Sequence, residues 1–345
     1  MSKILTVENV RLDAAQLAEY ASLFAPLNLR HEFGAKAGQR FDANETGFLA
    51  RQVEVVRAKV FEVKVAELLA RKFLPTATDI PSWSSHVIEV VYDSVGRAKV
   101  ISTNTDMIPR VDVVASEQAY KVVSIGASYG WALMEMRQAI GTGIPLAERK
   151  GVTARRVIDA GIDEVLATGQ LASVDQVSFG MSGFANSSAV SILASASAGW
   201  AAATSNALKA VIIQDICNGI LSISQNTLQV FSCTDVVMAP AKYDFLATTP
   251  RSDQSDETLL SFLQRVNPGV TFHKWHRLTA AGAGGKDRIV YYHKSPEVLE
   301  AIVPQEFEQL PHQVEGLETI TICHARCGGV RYHQPKAVVY QDPIT

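Results

Sequence analysis

The clearest hydrophobic pattern in the chain predicts one long amphipathic helix that begins at Pro145 and ends at Thr168. Large apolar residues recur at three- and four-residue spacing, which places them on one face of a helix. They are Ile158, Ile162, Val165 and Leu166. Pro145 suits the first turn because its missing N–H would have had no partner there, and Gly169 suits a C-terminal cap.

The charges of this helix run against the helix dipole. Its first half carries the basic residues and its second half the acidic ones, whereas the dipole favours the reverse arrangement by a few tenths to ~1 kcal/mol per charge. The residues are Arg149, Lys150, Arg155, Arg156, Asp159, Asp163 and Glu164. Two interpretations stay open: partners outside the helix compensate these charges, or they form a solvated face with weak pairs such as Arg155 with Asp159.

Two stretches rich in Val, Ile and Tyr predict a long β-hairpin. They cover Ser85–Tyr92 and Val111–Ile125, with Gly96 and Pro109 among the residues that interrupt them. The middle of the hairpin, 97–110, has few large apolar residues and cannot pack a core of its own. We therefore expect it to project from the molecule.

The remaining pattern predicts an arm, a first helix and an α/β lobe. Residues 1–50 hold one short helical pattern and then, at 31–40, too little apolar surface to fold alone, so we expect an arm. Residues 51–72 have the spacing of an amphipathic helix that ends before Pro75, although their valines make a strand possible for the first half. Between 206 and 292, helical and strand patterns alternate, which is typical of a compact α/β lobe. Segments 319–323 and 329–340 read as closing strands.

Composition narrows the function classes. The chain has 345 residues, a formal net charge of −3 and 19% charged residues. It therefore lacks the excess of positive charge that is typical of a dedicated nucleic-acid-binding protein. The amino terminus has no signal-peptide pattern, and the most apolar long run, 189–203, is too short and too rich in small residues to span a bilayer. We expect a protein that is made in a cytoplasm, does not contact membranes and keeps its four cysteines reduced.

No motif predicts catalysis, a cofactor or a metal. The glycine-rich run at 282–286 lacks the first glycine and the final Ser or Thr of a phosphate-binding loop. The best metal candidate is Cys323, His324 and Cys327 with His333 nearby. On a strand, however, Cys323 and Cys327 share one face while His324 faces the other, which is poor geometry for one tetrahedral ion.

The order of these elements resembles the tailed-bacteriophage major capsid protein family with the Hong Kong ninety-seven fold. The likeness covers roughly residues 45–340, and five segments carry it. They are Arg51-Gln52-Val53-Glu54, the run from Tyr92 to Ala98, the run from Tyr129 to Met136, the run from Ala154 to Asp159, and the run from Gly329 to Ala337.

The resemblance implies an α+β fold with two domains and two extensions. It implies an N-terminal arm over 1–50, a peripheral domain over 51–185 and 311–345 with a long spine helix and β-strands, and an axial α/β domain over 186–310. An extended β-hairpin loop over 82–125 is inserted in the peripheral domain and overlaps a neighbouring subunit.

The function implied is self-assembly into pentamers and hexamers, which form an icosahedral head shell around double-stranded phage DNA. Six residues are expected at subunit contacts: Arg97, Lys99, Asp106, Arg110, Arg155 and Arg156. The expected partners are copies of the same chain, separate scaffold and portal proteins, and packaged DNA held without sequence specificity. Assembly is expected in the cytoplasm of the host bacterium.

Two alternatives share parts of this pattern. A compartment shell of the encapsulin type has the same fold and would enclose an enzyme cargo in place of DNA. A soluble α/β enzyme would account for the lobe at 206–292, and it would be a monomer with a polar-lined pocket.

Overall fold

The computed structural model describes residues 66–99, 110–142, 146–171, 180–195, 200 and 205–343, and from Ala66 onwards the chain forms one compact unit. The arm predicted over 1–50 and most of the helix predicted over 51–72 lie outside these residues. The described part of that helix is a single turn, Ala70–Phe73, which ends before Pro75 as predicted. The residue before a proline disfavours helical geometry, which explains the end point.

The helices and strands are numbered along the described residues. The helices are α1 (Ala70–Phe73), α2 (Leu133–Thr142), α3 (Leu146–Thr168), α4 (Asn206–Asn226), α5 (Pro240–Thr248) and α6 (Leu259–Val266). The strands are β1 (His86–Val95), β2 (Asp112–Lys121), β3 (Val123–Ala132), β4 (Ser191–Leu193), β5 (Asp235–Met238), β6 (Pro250–Ser252), β7 (Ser255–Thr258), β8 (Thr271–Lys274), β9 (Ile289–Tyr292), β10 (Leu299–Ile302), β11 (Gln305–Gln309), β12 (Gln313–Glu315), β13 (Glu318–Cys327), β14 (Gly329–Tyr332) and β15 (Val338–Gln341).

The predicted hairpin is present. Strands β1 and β2 pair antiparallel from His86 opposite Lys121 to Val95 opposite Asp112. The second predicted strand, 111–125, is divided at Val122: its first part is β2, and its second part begins β3, which pairs with β13. The chain thus leaves the hairpin and enters a different sheet within two residues.

The predicted long helix is α3, and its apolar face is the buried one. All four residues of the predicted stripe are buried, and the helix packs against β3 and β13. Strand β13 lies between β11 and β12 and also pairs with β3. At the end of α3, Gly169 has a φ of 69°, the left-handed conformation predicted for its cap.

The second layered part of the unit is a five-stranded mixed sheet in the order β4-β15-β9-β5-β8. Helix α4 packs against β9 and β15 of this sheet and buries Ile212, Ile216 and Ile223. Among the described residues it is the one helix long and apolar enough to cross a membrane. Its burial against the sheet is that of a core helix, and the apolar residues serve that packing.

The closing segment 329–340 forms two strands in place of the one predicted. A 3-10 turn at Pro335–Ala337 separates β14 from β15. Strand β14 pairs with β10, whereas β15 lies between β4 and β9 in the five-stranded sheet. The sheets therefore do not follow the domain boundary expected at residue 311, because β15 joins the strands expected in the axial domain. The division into peripheral and axial domains stays a prediction.

Candidate assembly interface

The hairpin exposes an apolar face. Ile88, Val90 and Tyr92 alternate along β1, and their exposed fractions are 63%, 46% and 71%. Residues directly opposite each other in an antiparallel pair lie on the same face, so the register adds Ala115, opposite Tyr92, to this surface. An alternating apolar face normally lies against a core; here its residues Ile88, Val90 and Tyr92 are exposed.

The other face of the hairpin base is the covered one. Val87, Glu89 and Val91 are partly buried, and Tyr120 lies opposite Val87 on the same face. The Tyr120 hydroxyl accepts a hydrogen bond from the N–H of Tyr332 at 3.3 Å. Among the described residues, this face thus carries side chains that attach the hairpin to the body.

An ion cluster forms the other attachment of this face. Arg331 on β14 is 6% exposed, and its Nη1 lies 2.9 Å from Oε1 of Glu89. The Nε of Arg331 donates a hydrogen bond to Oε2 of Glu300 at 2.9 Å, and its Nη2 lies 3.2 Å from Oδ1 of Asp79. His333 lies beside the cluster, with Nδ1 3.3 Å from Glu89. Sequence reasoning missed this site because its residues come from four separate segments.

The structure distributes the expected contact residues over two surfaces. Arg97, Lys99 and Arg110 are exposed and follow or precede the last hairpin pair, Val95 with Asp112. Asp106 lies outside the described residues.

Arg155 and Arg156 are exposed on α3, far along the chain from the hairpin. Arg155 forms the weak pair anticipated with Asp159, at 3.8 Å, and its guanidinium lies 5.8 Å from the ring centre of Phe307. Lys150, in contrast, is held within the chain: it donates hydrogen bonds of 2.8 Å to Glu135 and to the carbonyl of Gly130. The solvated-face interpretation therefore describes Arg155 in the single chain, and Lys150 has partners from outside the helix.

The acids of α3 have partners from other elements. Asp163 is 3% exposed and accepts a hydrogen bond of 2.9 Å from the N–H of Ala70. Arg277, from the 3-10 turn after β8, lies 3.4 Å from Asp163 and 3.5 Å from Glu164. Asp163 and Glu164 are thus compensated from outside the helix, which was one of the two interpretations left open, whereas Asp159 pairs with Arg155 of the same helix.

A second exposed apolar surface lies at one end of the sheet that contains β13. Leu133 and Met134 begin α2, and Val314 and Leu317 flank the β12–β13 turn; all four are exposed. The N–H of Leu133 donates a hydrogen bond of 2.9 Å to the carbonyl of Leu317, which holds the two segments together. No periodic pattern in the sequence marks this surface, because its residues come from a short strand, a turn and the start of a helix.

The metal candidate has the geometry expected of a strand. Cys323 and Cys327 are buried on one face of β13, and His324 lies on the other, 3.6 Å from Glu308. Burial raises the pKa of Cys327 to about 11, so its thiol stays protonated at neutral pH. Within the part of the chain that the structure describes, no group of three or more His, Cys, Asp or Glu side chains could hold a metal ion.

The described residues thus combine a paired hairpin with an exposed apolar face, a long helix beside a sheet, and a mixed α/β layer. The family model described as "Major capsid protein" matches residues 96–344. The chain belongs to this family, and it is a structural protein of the phage head shell, located in the virion capsid. Its working form is an oligomeric shell.

Solved structures show the same fold. A chain from the capsid of Myoviridae phage XM1 aligns with a TM-score of 0.74 and 18% identity, over 89% of this chain and 100% of that one. A chain from Gordonia phage Cozz aligns with a TM-score of 0.59 and 11% identity, over 90% and 96%. A chain from the capsid of an empty GTA particle aligns with a TM-score of 0.58 and 10% identity, over 90% and 100%. No curated protein matches the sequence.

Proposed function

We propose that copies of this chain assemble into pentamers and hexamers that close an icosahedral shell around double-stranded phage DNA. Repeated contacts between unlike surfaces of one chain close into rings when the rotation permits. The observation that carries the proposal is the open apolar face of the hairpin, centred on Ile88, Val90 and Tyr92. Soluble monomers rarely leave a contiguous apolar surface of this kind uncovered.

The hairpin is proposed to lie over a neighbouring subunit. Its apolar face would supply buried area, and obligate interfaces commonly bury ~2,000 to 5,000 Å². Arg97, Lys99, Asp106 and Arg110 would then pair with charges of the neighbour at the end of the hairpin. This arrangement explains why a long two-stranded element that cannot bury its own outer face is retained.

Arg155 and Arg156 are proposed to contact either a neighbouring subunit or DNA phosphates. The support is their exposure and the weak, solvent-facing pair that Arg155 makes with Asp159. Contacts to phosphates need no base recognition, which suits DNA that is packed without sequence specificity.

The proposal includes partners that act during assembly. A separate scaffold protein and a portal protein would guide shell closure in the host bacterial cytoplasm. The shell chain itself would need no cofactor, metal or membrane and would perform no catalysis.

Sedimentation and electron microscopy of the purified chain test the proposal. We expect rings, tubes or closed shells to form as the concentration of the chain is raised, and DNA inside particles recovered from infected cells. A single boundary at the mass of one chain across a wide concentration range would overturn the proposal. Particles that contain an enzyme cargo and no DNA would identify a compartment shell instead.

Reversing the charges of the helix pair tests the second contact. We expect Arg155→Glu with Arg156→Glu to leave the subunit folded, because both side chains are exposed, and to impair assembly or DNA retention. Shells that form but lose DNA would indicate phosphate contacts, whereas failed assembly would indicate a neighbour. Particles that form and fill normally would contradict the assigned role of the pair.

A further inference from the structure

The attachment of the hairpin to the body is electrostatic and directional. Glu89 on β1 and Glu300 on β10 both contact the guanidinium of Arg331, and Arg331 lies directly opposite Glu300 in the β10–β14 pair. A guanidinium presents its donors in a fixed planar fork, so each carboxylate must approach it from a set direction. Apolar contacts are non-directional and would allow the hairpin base to slide.

Several ionisable side chains surround the guanidinium of Arg331. Three carboxylates face its guanidinium, from Asp79, Glu89 and Glu300. The His333 ring lies between two of them, with Nδ1 3.3 Å from Glu89 and Nε2 3.5 Å from Glu300. The Asp79 side chain is 66% exposed, whereas those of Glu89 and Glu300 are 16% and 14% exposed. The guanidinium contacts both of these poorly exposed carboxylates and offsets their mutual repulsion, so Glu89 is stabilised beside it. Burial strengthens this attraction relative to a surface pair.

A second contact comes from the other strand of the hairpin. Tyr120 on β2 meets the backbone of Tyr332, the residue after Arg331. Glu89 and Tyr120 lie on the same covered face, one on each strand. Two contacts on two strands fix the tilt of a hairpin as well as its position.

We propose that Arg331 is a positioning residue that clamps the hairpin base through Glu89 and thereby sets the angle at which the open apolar face projects. The clamp is a property of the single subunit. Its use in the shell rests on the proposed function, in which a fixed angle would present Ile88, Val90 and Tyr92 to a neighbour in one orientation.

Pulsed electron–electron double resonance on unassembled subunits tests the clamp, because it measures the distribution of distances between two spin labels. Spin labels at Ala115→Cys, on the exposed hairpin face, and Glu297→Cys, on the exposed loop before β10, report the hairpin-to-body distance. Cys217 is replaced by Ser in this background, because the other three native cysteines are buried. We expect a narrow distance distribution for the background protein and one at least about twofold broader for Glu89→Gln. The Gln variant keeps the shape of the side chain and leaves the Arg331–Glu300 pair in place.

Glu117→Gln is the matched control. Glu117 lies opposite Val90, on the exposed face of the same hairpin, so it makes the same charge change away from Arg331. We expect its distance distribution to match the background. If the Tyr120 contact alone can hold the hairpin base, Glu89→Gln by itself would not broaden the distribution. The double variant Glu89→Gln with Tyr120→Phe removes both contacts and covers this case.

A narrow, background-like distribution in both Glu89→Gln and the double variant would overturn the clamp. Equal broadening in Glu117→Gln would overturn it as well, because a general loss of charge would then be the cause. The measurement uses unassembled subunits, so its outcome is independent of whether shells form.

Discussion

Asp163 joins three elements through one carboxylate. One of its oxygens accepts the Ala70 N–H at the start of α1, and the other faces Arg277 from the turn after β8. A buried charge is stable only when it is paired and hydrogen-bonded. In the sequence, Asp163 is one of three acids in the wrong half of a helix; in the fold, it is where that helix is tied to its neighbours.

Removing this carboxylate should destabilise the subunit. We expect Asp163→Ala to lower the free energy of unfolding by about 1–3 kcal/mol, because it leaves a buried N–H unsatisfied and Arg277 without one partner. Denaturant unfolding of unassembled subunits measures the change. Asp159→Ala is the control: its pair with Arg155 is largely exposed, so a loss of less than ~1 kcal/mol is expected. Equal losses in the two variants would contradict the argument.

Asp235 gives the subunit a specific response to acid. Burial by itself raises the pKa of Asp235, but hydrogen bonds from His273, Thr271 and Thr234 outweigh burial and lower it from 3.8 to about 2. A carboxyl whose pKa is lower in the folded state stabilises the fold above its unfolded pKa. That stabilisation is lost as the pH falls from about 3.8 through about 2.

The comparison with Asp235→Asn isolates this response. We expect the wild-type subunit to have the higher melting temperature at pH 5, and the difference between the two proteins to shrink steadily as the pH falls from 4 to 2. Thermal melts at several pH values provide the measurement. A difference that stays constant over this range would show that the carboxylate is not preferentially ionised in the fold.

At the scale of elements, two helical glycines have opposite surroundings. Gly219 of α4 faces the ring of Tyr291, and a Cβ built there would lie 2.4 Å from its Cζ. The Tyr291 hydroxyl donates a 2.6 Å hydrogen bond to Gln341, which limits how far the ring can move. Gly141, near the end of α2, has no atom within 4 Å of the corresponding position.

Replacing glycine by alanine should therefore change the stability of the subunit in opposite directions at the two positions. We expect Gly219→Ala to destabilise the subunit by about 1–3 kcal/mol through overpacking. We expect Gly141→Ala to stabilise it by up to about 1 kcal/mol, because alanine has the better helix propensity. Thermal or denaturant melts measure both. Stabilisation by Gly219→Ala would mean that α4 does not pack closely on β9.

At the scale of the whole molecule, we predict that the hairpin contributes to assembly more than to the folding of the subunit. The paired strands β1 and β2 hold the element together, whereas 97–110 lie beyond the last pair. The sequence of 97–110 has few large apolar residues, so we expect this segment to bury little apolar surface within the subunit and to contribute little to its stability.

Replacing 97–110 with a short Gly/Asn turn distinguishes the two roles. We expect circular dichroism and the melting temperature to stay near wild type, while microscopy shows no shells or only irregular polymers. Normal shells from the shortened chain would exclude the proposed role of the hairpin end. An unfolded chain would show instead that this segment belongs to the core.

Local patterns in the sequence were sufficient to predict several helices and strands. The stripe from Ile158 to Leu166 predicted α3 and its buried face, because helical periodicity depends only on neighbours within one or two turns. The end of that helix followed from Gly169 in the same way. The order of the elements and its resemblance to one family predicted the fold and the shell function, which the family match over 96–344 confirms.

Tertiary structure decided what covers each surface. Alternation in β1 shows that its two faces differ, and the face with Ile88, Val90 and Tyr92 is the one that sequence reasoning alone would bury. The fold buries the face with Glu89 instead, because Arg331 from a strand more than two hundred residues away neutralises that carboxylate. Likewise, β15 joins the five-stranded sheet because β9 offers it a pairing edge. Such partners are distant in sequence, so no local pattern specifies them.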